Sequence, residues 1–279
     1  MSRRAHYLSL DDILRRIKED RGAGQGLAYR PWFEIKDVPS LGRRHRIRCS
    51  VNGRVVHLLS DLEGDCLHFG EYTDQCLRRA GVGRYTDVRE QYPLLPLEET
   101  WLIARELGIR HPAVRGQKIV MTTDMVWTYE RTNDTVLVPV SVKYLRDKNN
   151  PRSQQKAAIE AEYWRRRGYV LEHHDETCAG RIFRKNWTLI RPTLRPEFFK
   201  SFPSGIVQAV DECLRKPALG GRLRLTDLAA IGARRLGYSK GQVITAIHRL
   251  IADQTWPTDL MSQSLVSLEP LILTPNTPS

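Results

Sequence analysis

The segment Met121-Thr122-Thr123-Asp124-Met125-Val126-Trp127 sets a carboxylate inside a run that otherwise reads as a buried β-strand. A charge in that position is costly to bury unless a metal or another partner compensates it. The run forms part of Lys118–Trp127. A second β-rich run, Thr135–Lys143, follows across a polar segment containing Asn133-Asp134, so the two are expected to pair antiparallel. Side chains alternate with period two along a strand, which places Ser141 and Lys143 on one face. The hairpin can therefore bring Asp124, Ser141 and Lys143 to one point.

Around this hairpin the chain alternates helix and strand. Residues 9–20 predict a short helix with Ser9 as its cap and Leu10, Ile13, Leu14 and Ile17 on one face. The Arg-Gly-Ala-Gly-Gln-Gly run that follows has neither the preceding strand nor the Gly-Lys-Ser/Thr of a phosphate-binding loop. It reads as a flexible basic loop and predicts no nucleotide hydrolysis. Residues 53–59 predict a strand, and Ser60-Asp61-Leu62-Glu63 opens a helix toward Arg79 with Glu63 in its first turn. Helices are further expected at Leu97–Leu107 and 153–167, and a strand at Tyr169–His173. After the first helix the expected order is β, α, α, β, β, α, β.

Prolines 192, 196 and 203 mark a boundary, because each removes a backbone donor and disfavours helix before it. We expect a first domain over 1–188, a second over 189–256 and a loose tail over 257–279. In the second domain, Leu225–Leu236 and Ser239–Asp253 flank Gly237-Tyr238 with helix-turn-helix spacing.

The formal charge of +12 and pI near 9.7 call for a polyanionic partner, since clustered Lys and Arg gain affinity by releasing counterions from a phosphate backbone. The excess is uneven: residues 36–54 carry Lys36, Arg43, Arg44, Arg46, Arg48 and Arg54 against Asp37 alone, and residues 180–250 hold 14 basic and four acidic side chains. Nucleic acid is the expected ligand. No run of 18 apolar residues and no hydrophobic leader occur, which disfavours membrane spanning and secretion and favours the cytoplasm. Five cysteines without a CxxC pair read as free thiols, and His173-His174 with Cys178 does not make a metal site, because adjacent strand residues point to opposite faces. Trp127, Trp164, Trp187 and Trp256 read as core residues.

Phosphodiester hydrolysis needs a hydroxide at neutral pH and positive charge against the phosphoryl oxygens, and divalent magnesium supplies both. Glu63 and Asp124 are hard oxygen ligands suited to that ion, and Lys143 is a cation placed to orient water or stabilise the transition state. From spacing alone a simple Asp124–Lys143 ion pair is the favoured reading.

The ordered motifs Arg15-Arg16-Ile17-Lys18-Glu19, Arg21-Gly22, Pro31-Trp32, Val38-Pro39-Ser40, Gly42-Arg43-Arg44-His45-Arg46-Ile47, Val56 through Glu63, Arg89-Glu90-Gln91-Tyr92-Pro93-Leu94, Arg110-His111-Pro112, Arg115-Gly116 and Val120 through Asp124 settle the direction. Over about 170 N-terminal residues the chain resembles the TnsA-type endonuclease subunits of heteromeric cut-and-paste transposases. The resemblance implies an α/β, restriction-endonuclease-like PD-(D/E)xK domain followed by a small winged-helix or helix-turn-helix domain. It implies Mg2+, with Mn2+ as substitute and one or two ions, held by Glu63, Asp124 and the carbonyl of Val142. Lys143 would complete the active site, and Glu160 occupies the helical position that faces it.

Where such enzymes carry Glu or Gln two residues before the lysine, this chain has Ser141, and Cys66–Tyr85 reads as an insertion with Gly81-Val82-Gly83 in a loop. Phosphate contacts are expected from Arg43, Arg44, Arg46, Arg48, Arg54 and Arg115, and from Arg234, Arg235, Lys240 and Arg249 in the second domain. The resemblance implies double-stranded DNA as the ligand, and the expected function is hydrolysis at the 5′ ends of a transposon, beside a DDE-type, TnsB-like transposase and an AAA+, TnsC-like regulator docked on the C-terminal domain. A DNA-binding assembly factor with a decayed site and a free-standing restriction or repair nuclease are the alternatives.

Overall fold

The computed structural model describes residues 8–38, 43–266 and 269–274. Two units are found: residues 1–67 with 83–178, and residues 68–82 with 179–279.

The first unit opens with α1 (Leu10–Lys18), whose start is fixed by a capping box between Ser9 and Asp12. The apolar stripe read from the sequence is split here. Ile13 and Arg16 are buried, while Leu10, Leu14 and Ile17 are exposed. Arg16 can take an interior place because it pairs with Asp37 at 3.3 Å and lies over the Phe33 ring at 5.2 Å. The glycine-rich run is a folded strap and not the flexible loop expected. Gly22 adopts φ +86°, where a Cβ would stand 2.1 Å from Pro93 Cγ, and Gly26 N–H donates to Asp87 Oδ2 at 3.0 Å.

A hairpin follows, β1 (His45–Arg48) against β2 (Val55–Leu58), and then α2 (Asp61–Ala80). The main sheet uses β3 (Arg84–Pro93), β6 (Thr122–Arg131), β7 (Asp134–Val142) and β8 (Glu172–His174) in the order β3-β6-β7-β8. Between them lie α3 (Leu97–Glu106), the two-residue strands β4 (Ala113–Val114) and β5 (Gln117–Lys118), the short α4 (Leu145–Lys148) and α5 (Pro151–Arg165). The β6–β7 hairpin is antiparallel as read from the sequence, and β8 runs parallel to β7 after the α5 crossover.

Alternation splits the sheet residues between two cores. Val88, Met125, Trp127 and Val140 pack with Val56, Leu58, Cys66 and Leu67, whereas Val126 packs with Ile103, Ile159, Tyr163 and Trp164. Covered on both faces, the sheet carries its site at one end.

Besides the two-residue β4 and β5, the strands β1 and β3 escaped the sequence reading. In β3 the buried positions are Asp87, Val88, Arg89, Glu90, Gln91 and Pro93, a pattern that conceals the strand because its interior charges are matched by partners. Glu90 is fully buried and forms an ion pair with Arg54, whose guanidinium also reaches the Val88 carbonyl at 2.9 Å.

The second unit contains the later part of α2, from His68 onward, together with α6 (Arg181–Ile190), α7 (Ile206–Leu219), α8 (Leu225–Leu236) and α9 (Lys240–Ala252). The boundary therefore falls near residue 178 and not 188, while the helix expected toward Arg79 runs to Ala80 and gives way to a turn at Gly81-Val82-Gly83. Phe183 and Trp187 of α6 explain the shift: both are fully buried against Tyr72 and the α7–α9 core. Glu71 is held there by Arg191 Nε at 2.8 Å and by Trp187 Nε1 at 3.2 Å.

Helices α8 and α9 form the expected pair, and Gly232 lets them approach, since a Cβ there would meet Val243 Cγ1 at 2.8 Å. Among the described residues beyond α9, the β-pairing is the isolated bridge Thr258–Leu273. Leu260, Leu265 and Leu271 are buried, so the tail expected to be loose is packed through these positions. No helix among the described residues is long and apolar enough to cross a membrane.

Candidate active site

At one end of the first unit's sheet lies a cleft of about 310 Å³, lined among others by Leu59, Gln91, Thr122, Asp124, Ser141, Lys143, Lys156 and Glu160. Its position follows from register. Met125 pairs with Val140, so one step further Asp124 lies opposite Ser141, and Lys143 follows on the same face. The backbone N–H of Val142 donates to Asp124 Oδ2 at 2.6 Å. Helix α5 brings Glu160 to the same wall, where Ser141 Oγ donates to Glu160 Oε2 at 3.3 Å.

Glu63 enters from the start of α2. Its oxygens accept from Leu59 N at 2.9 Å, Ser60 Oγ at 3.1 Å and Gln91 Nε2 at 3.3 Å, while its own N–H donates to Ser60 Oγ. Glu63 thus caps its helix as well as facing Gln91 at the cleft wall.

The electrostatics are unbalanced toward negative charge. Burial pushes Glu63 up from the usual carboxylate range, and the charge of Asp124 pushes it further. Asp124 is itself raised by burial, against the pull of the Val142 N–H and Lys143. Glu160 is pushed up to about 7, by burial first and by Asp124 second. Its Oε1 is buried and makes no hydrogen bond among the described residues.

Asp124 thus raises both of the other buried acids, and Glu160 keeps one oxygen without a hydrogen bond among the described residues. Hard carboxylate oxygens are the donor type that Mg2+ takes. Among the described residues no group of three His, Cys, Asp or Glu side chains closes into a metal cage. Magnesium is commonly held by one or two carboxylates and keeps several waters.

The expected arginines divide. Arg43, Arg44, Arg46 and Arg48 are exposed, the last two on the outward side of β1. Arg44 NH1 is engaged by the Val38 carbonyl at 3.0 Å. Arg54 is a correction: it is 7 % exposed and is consumed by Glu90, so it holds β2 to β3 and does not face a phosphate. Arg115 is exposed in the β4–β5 turn with φ +51°. In the second unit Arg234, Arg235 and Lys240 are exposed around the α8–α9 turn, and Arg249 is taken up by Asp253 and the Thr193 carbonyl.

Two cleft residues were not singled out from the sequence. Lys156 precedes Glu160 by one helical turn, and the i, i+4 relation to Glu160 was the signal that could have found it. Gln91 sat in a quoted motif but in no assigned strand. His174 Nδ1 lies 3.4 Å from Cys66 Sγ, among the described residues it belongs to no metal-binding set, and all five cysteines are free. Trp127, Trp164, Trp187 and Trp256 are core residues, as read.

The site draws its acids from one strand and two helices, Asp124 on β6, Glu63 on α2 and Glu160 on α5, with Lys143 just past the end of β7. Residues 84–174 match the family model described as TnsA-like endonuclease N terminal. The chain is also similar to the Tn7 transposition protein TnsA of Escherichia coli, with 39 % identity over 155 residues. That match covers 56 % of this chain and 53 % of the relative, so the chain spans about half the length of the curated relative it matches.

Proposed function

We propose that this chain is the DNA-cutting subunit of a heteromeric transposase, hydrolysing the strand whose 5′ end belongs to the transposon. The observation that carries this reading is the meeting of Asp124, Ser141, Lys143 and Glu160 in one cleft, with Glu63 one hydrogen bond behind it. The likeness to the Tn7 protein supports it.

Glu63, Asp124 and the Val142 carbonyl would hold Mg2+ or Mn2+, which supplies a more acidic bound water and positive charge against the phosphate. Asp124, fixed by the Val142 N–H, presents its second oxygen to the cleft. Lys143 contributes a fixed cation where charge develops on the phosphoryl oxygens. Glu160 accepts from Ser141 and sets the far wall, and Lys156 adds positive charge at the rim.

Arg43, Arg44, Arg46, Arg48 and Arg115 give the first unit phosphate-facing cations, and Arg234, Arg235 and Lys240 do so for the second, which we read as winged-helix-like. The core is of the restriction-endonuclease type in this reading. The strand joined to target is left to a DDE-type transposase, and the C-terminal domain to an AAA+ regulator.

The test uses end-labelled transposon-end DNA, the cognate transposase and Mg2+. Wild type is expected to release 5′ ends, and Lys143→Ala to bind the DNA without cutting. Cutting by Lys143→Ala at the wild-type rate would refute the assignment. Double-strand cleavage without the transposase would favour a free-standing nuclease.

A further inference from the structure

Gln91 lies on β3 between Glu90, which pairs with Met125, and Tyr92, which pairs with Thr123, so it stands level with Asp124 on the next strand. Its φ is +48°, in the left-handed region that a residue with a long side chain rarely adopts. Such conformations persist only where the surroundings over-determine them.

The surroundings here do so from both sides. The Gln91 carbonyl accepts from Trp32 N at 3.3 Å, and the preceding Glu90 carbonyl accepts from the Tyr29 hydroxyl at 2.9 Å. Arg54 and the His57 N–H anchor the Glu90 carboxylate, and on the other flank Leu94 N–H donates to the Met121 carbonyl at 2.8 Å. Segments distant in the chain, the glycine strap and β2, thus converge to hold one strained residue. What the strain accomplishes is visible in the side chain: the buried carboxamide donates to Glu63 Oε2 at 3.3 Å and accepts from Thr122 Oγ1 at 3.4 Å. Gln91 lines the cleft, and Glu63 stands behind it.

We infer that Gln91 is a positioning residue, whose strained backbone aims a neutral amide at Glu63 and holds that carboxylate toward the cleft occupied by Asp124. The chemistry favours an amide over other polar groups. It donates to a carboxylate without adding a further negative charge to a site that already gathers Glu63, Asp124 and Glu160. A Glu at this position would have nearly the same shape, lose the donor and add charge. The inference rests on the reading of the cleft as a divalent-metal site.

The experiment is calorimetric titration of the full chain with Mn2+ alone, without DNA, for wild type, Gln91→Gly, Gln91→Asn and Gln91→Glu, paired with DNA binding in the absence of metal. Glycine accepts the left-handed φ, so Gln91→Gly removes the amide while keeping the backbone. Its Mn2+ affinity is expected to fall about 10–100-fold, the usual effect of losing a group that orients a ligand. Metal-free DNA binding should stay at the wild-type level. Asn, which tolerates the left-handed region and keeps a shorter amide, should recover part of the loss, and Glu should not.

Wild-type Mn2+ affinity in Gln91→Gly, or in Gln91→Glu, would overturn the inference while leaving the nuclease reading intact. Should Gln91→Gly fail to fold, equal affinity in the Asn and Glu variants would overturn it. A wild-type chain that binds no Mn2+ would remove the reading itself and the inference with it.

Discussion

The backbone N–H of Val142 and the carboxylate of Asp124 are joined by a 2.6 Å hydrogen bond between neighbouring strands. This bond fixes the Asp124 side chain one residue before Lys143 and leaves Oδ1 without a protein hydrogen bond among the described residues. In the proposed account Oδ1 is the oxygen offered to the metal.

Asp124→Asn keeps the shape and removes the charge. Mn2+ affinity should fall by more than about 100-fold, beyond what loss of an orienting group alone produces. Because a poorly compensated buried charge disappears with it, the metal-free variant should unfold at a urea concentration equal to or above that of wild type. A large loss of stability with Mn2+ binding retained would show a purely structural aspartate.

The acids also make a pH prediction. Glu160 rises to about 7 from an ordinary 4.5, so the folded protein binds more protons than the unfolded chain between these values. Stability from this group is therefore highest below about 4.5 and declines as pH rises through about 7; Glu63 and Asp124 are raised in the same direction. Urea unfolding of the metal-free protein at pH 5 and pH 8 should show this decline. Glu160→Gln should reduce it by roughly 1–3 kcal/mol, and millimolar Mg2+ should offset it in wild type. Identical pH dependence in wild type and Glu160→Gln would count against the buried-acid account.

Ser141 is 1 % exposed, and among the described residues its hydroxyl bonds Glu160. Ser141→Gln places a longer oxygen donor on the face shared with Asp124 and Lys143, and cleavage in the partnered assay should be equal or faster, with half-saturation at lower Mg2+. Complete loss of cutting would mean that the Ser141 hydroxyl has a role of its own.

Arg54 and Arg46 should separate cleanly, although eight residues apart. Arg54→Ala leaves Glu90 buried and unpaired, a change that typically costs about 3–5 kcal/mol. Arg46 is exposed, and Arg46→Ala should leave unfolding unchanged while lowering the salt dependence of DNA binding by about one phosphate contact. Weakened DNA binding by Arg54→Ala without loss of stability would return Arg54 to the DNA-facing set.

The β6–β7 hairpin, the α2 start and the α8–α9 pair were legible because each follows period or capping: Asp124 within an apolar alternation, Ser60 before Glu63, Ser239 before an apolar helix. Strand β3 was not, because Asp87, Arg89, Glu90 and Gln91 go inside only by virtue of partners far away in the chain, such as Arg54 and Tyr29. The same long-range pairing misled the reading of Arg54, whose sequence neighbours are exposed arginines. Gln91 was hidden twice, by its unassigned strand and by a backbone angle that residue type alone disfavours.

The most direct test of the central claim is a crystal structure of the chain grown or soaked with Mn2+, read by anomalous scattering. The account predicts a peak in the cleft bonded to Asp124, with Glu63 and the Val142 carbonyl as the accompanying protein oxygens, and loss of that peak in Asp124→Asn. A cleft without manganese, or with manganese bound equally well when Asp124 is Asn, would contradict it.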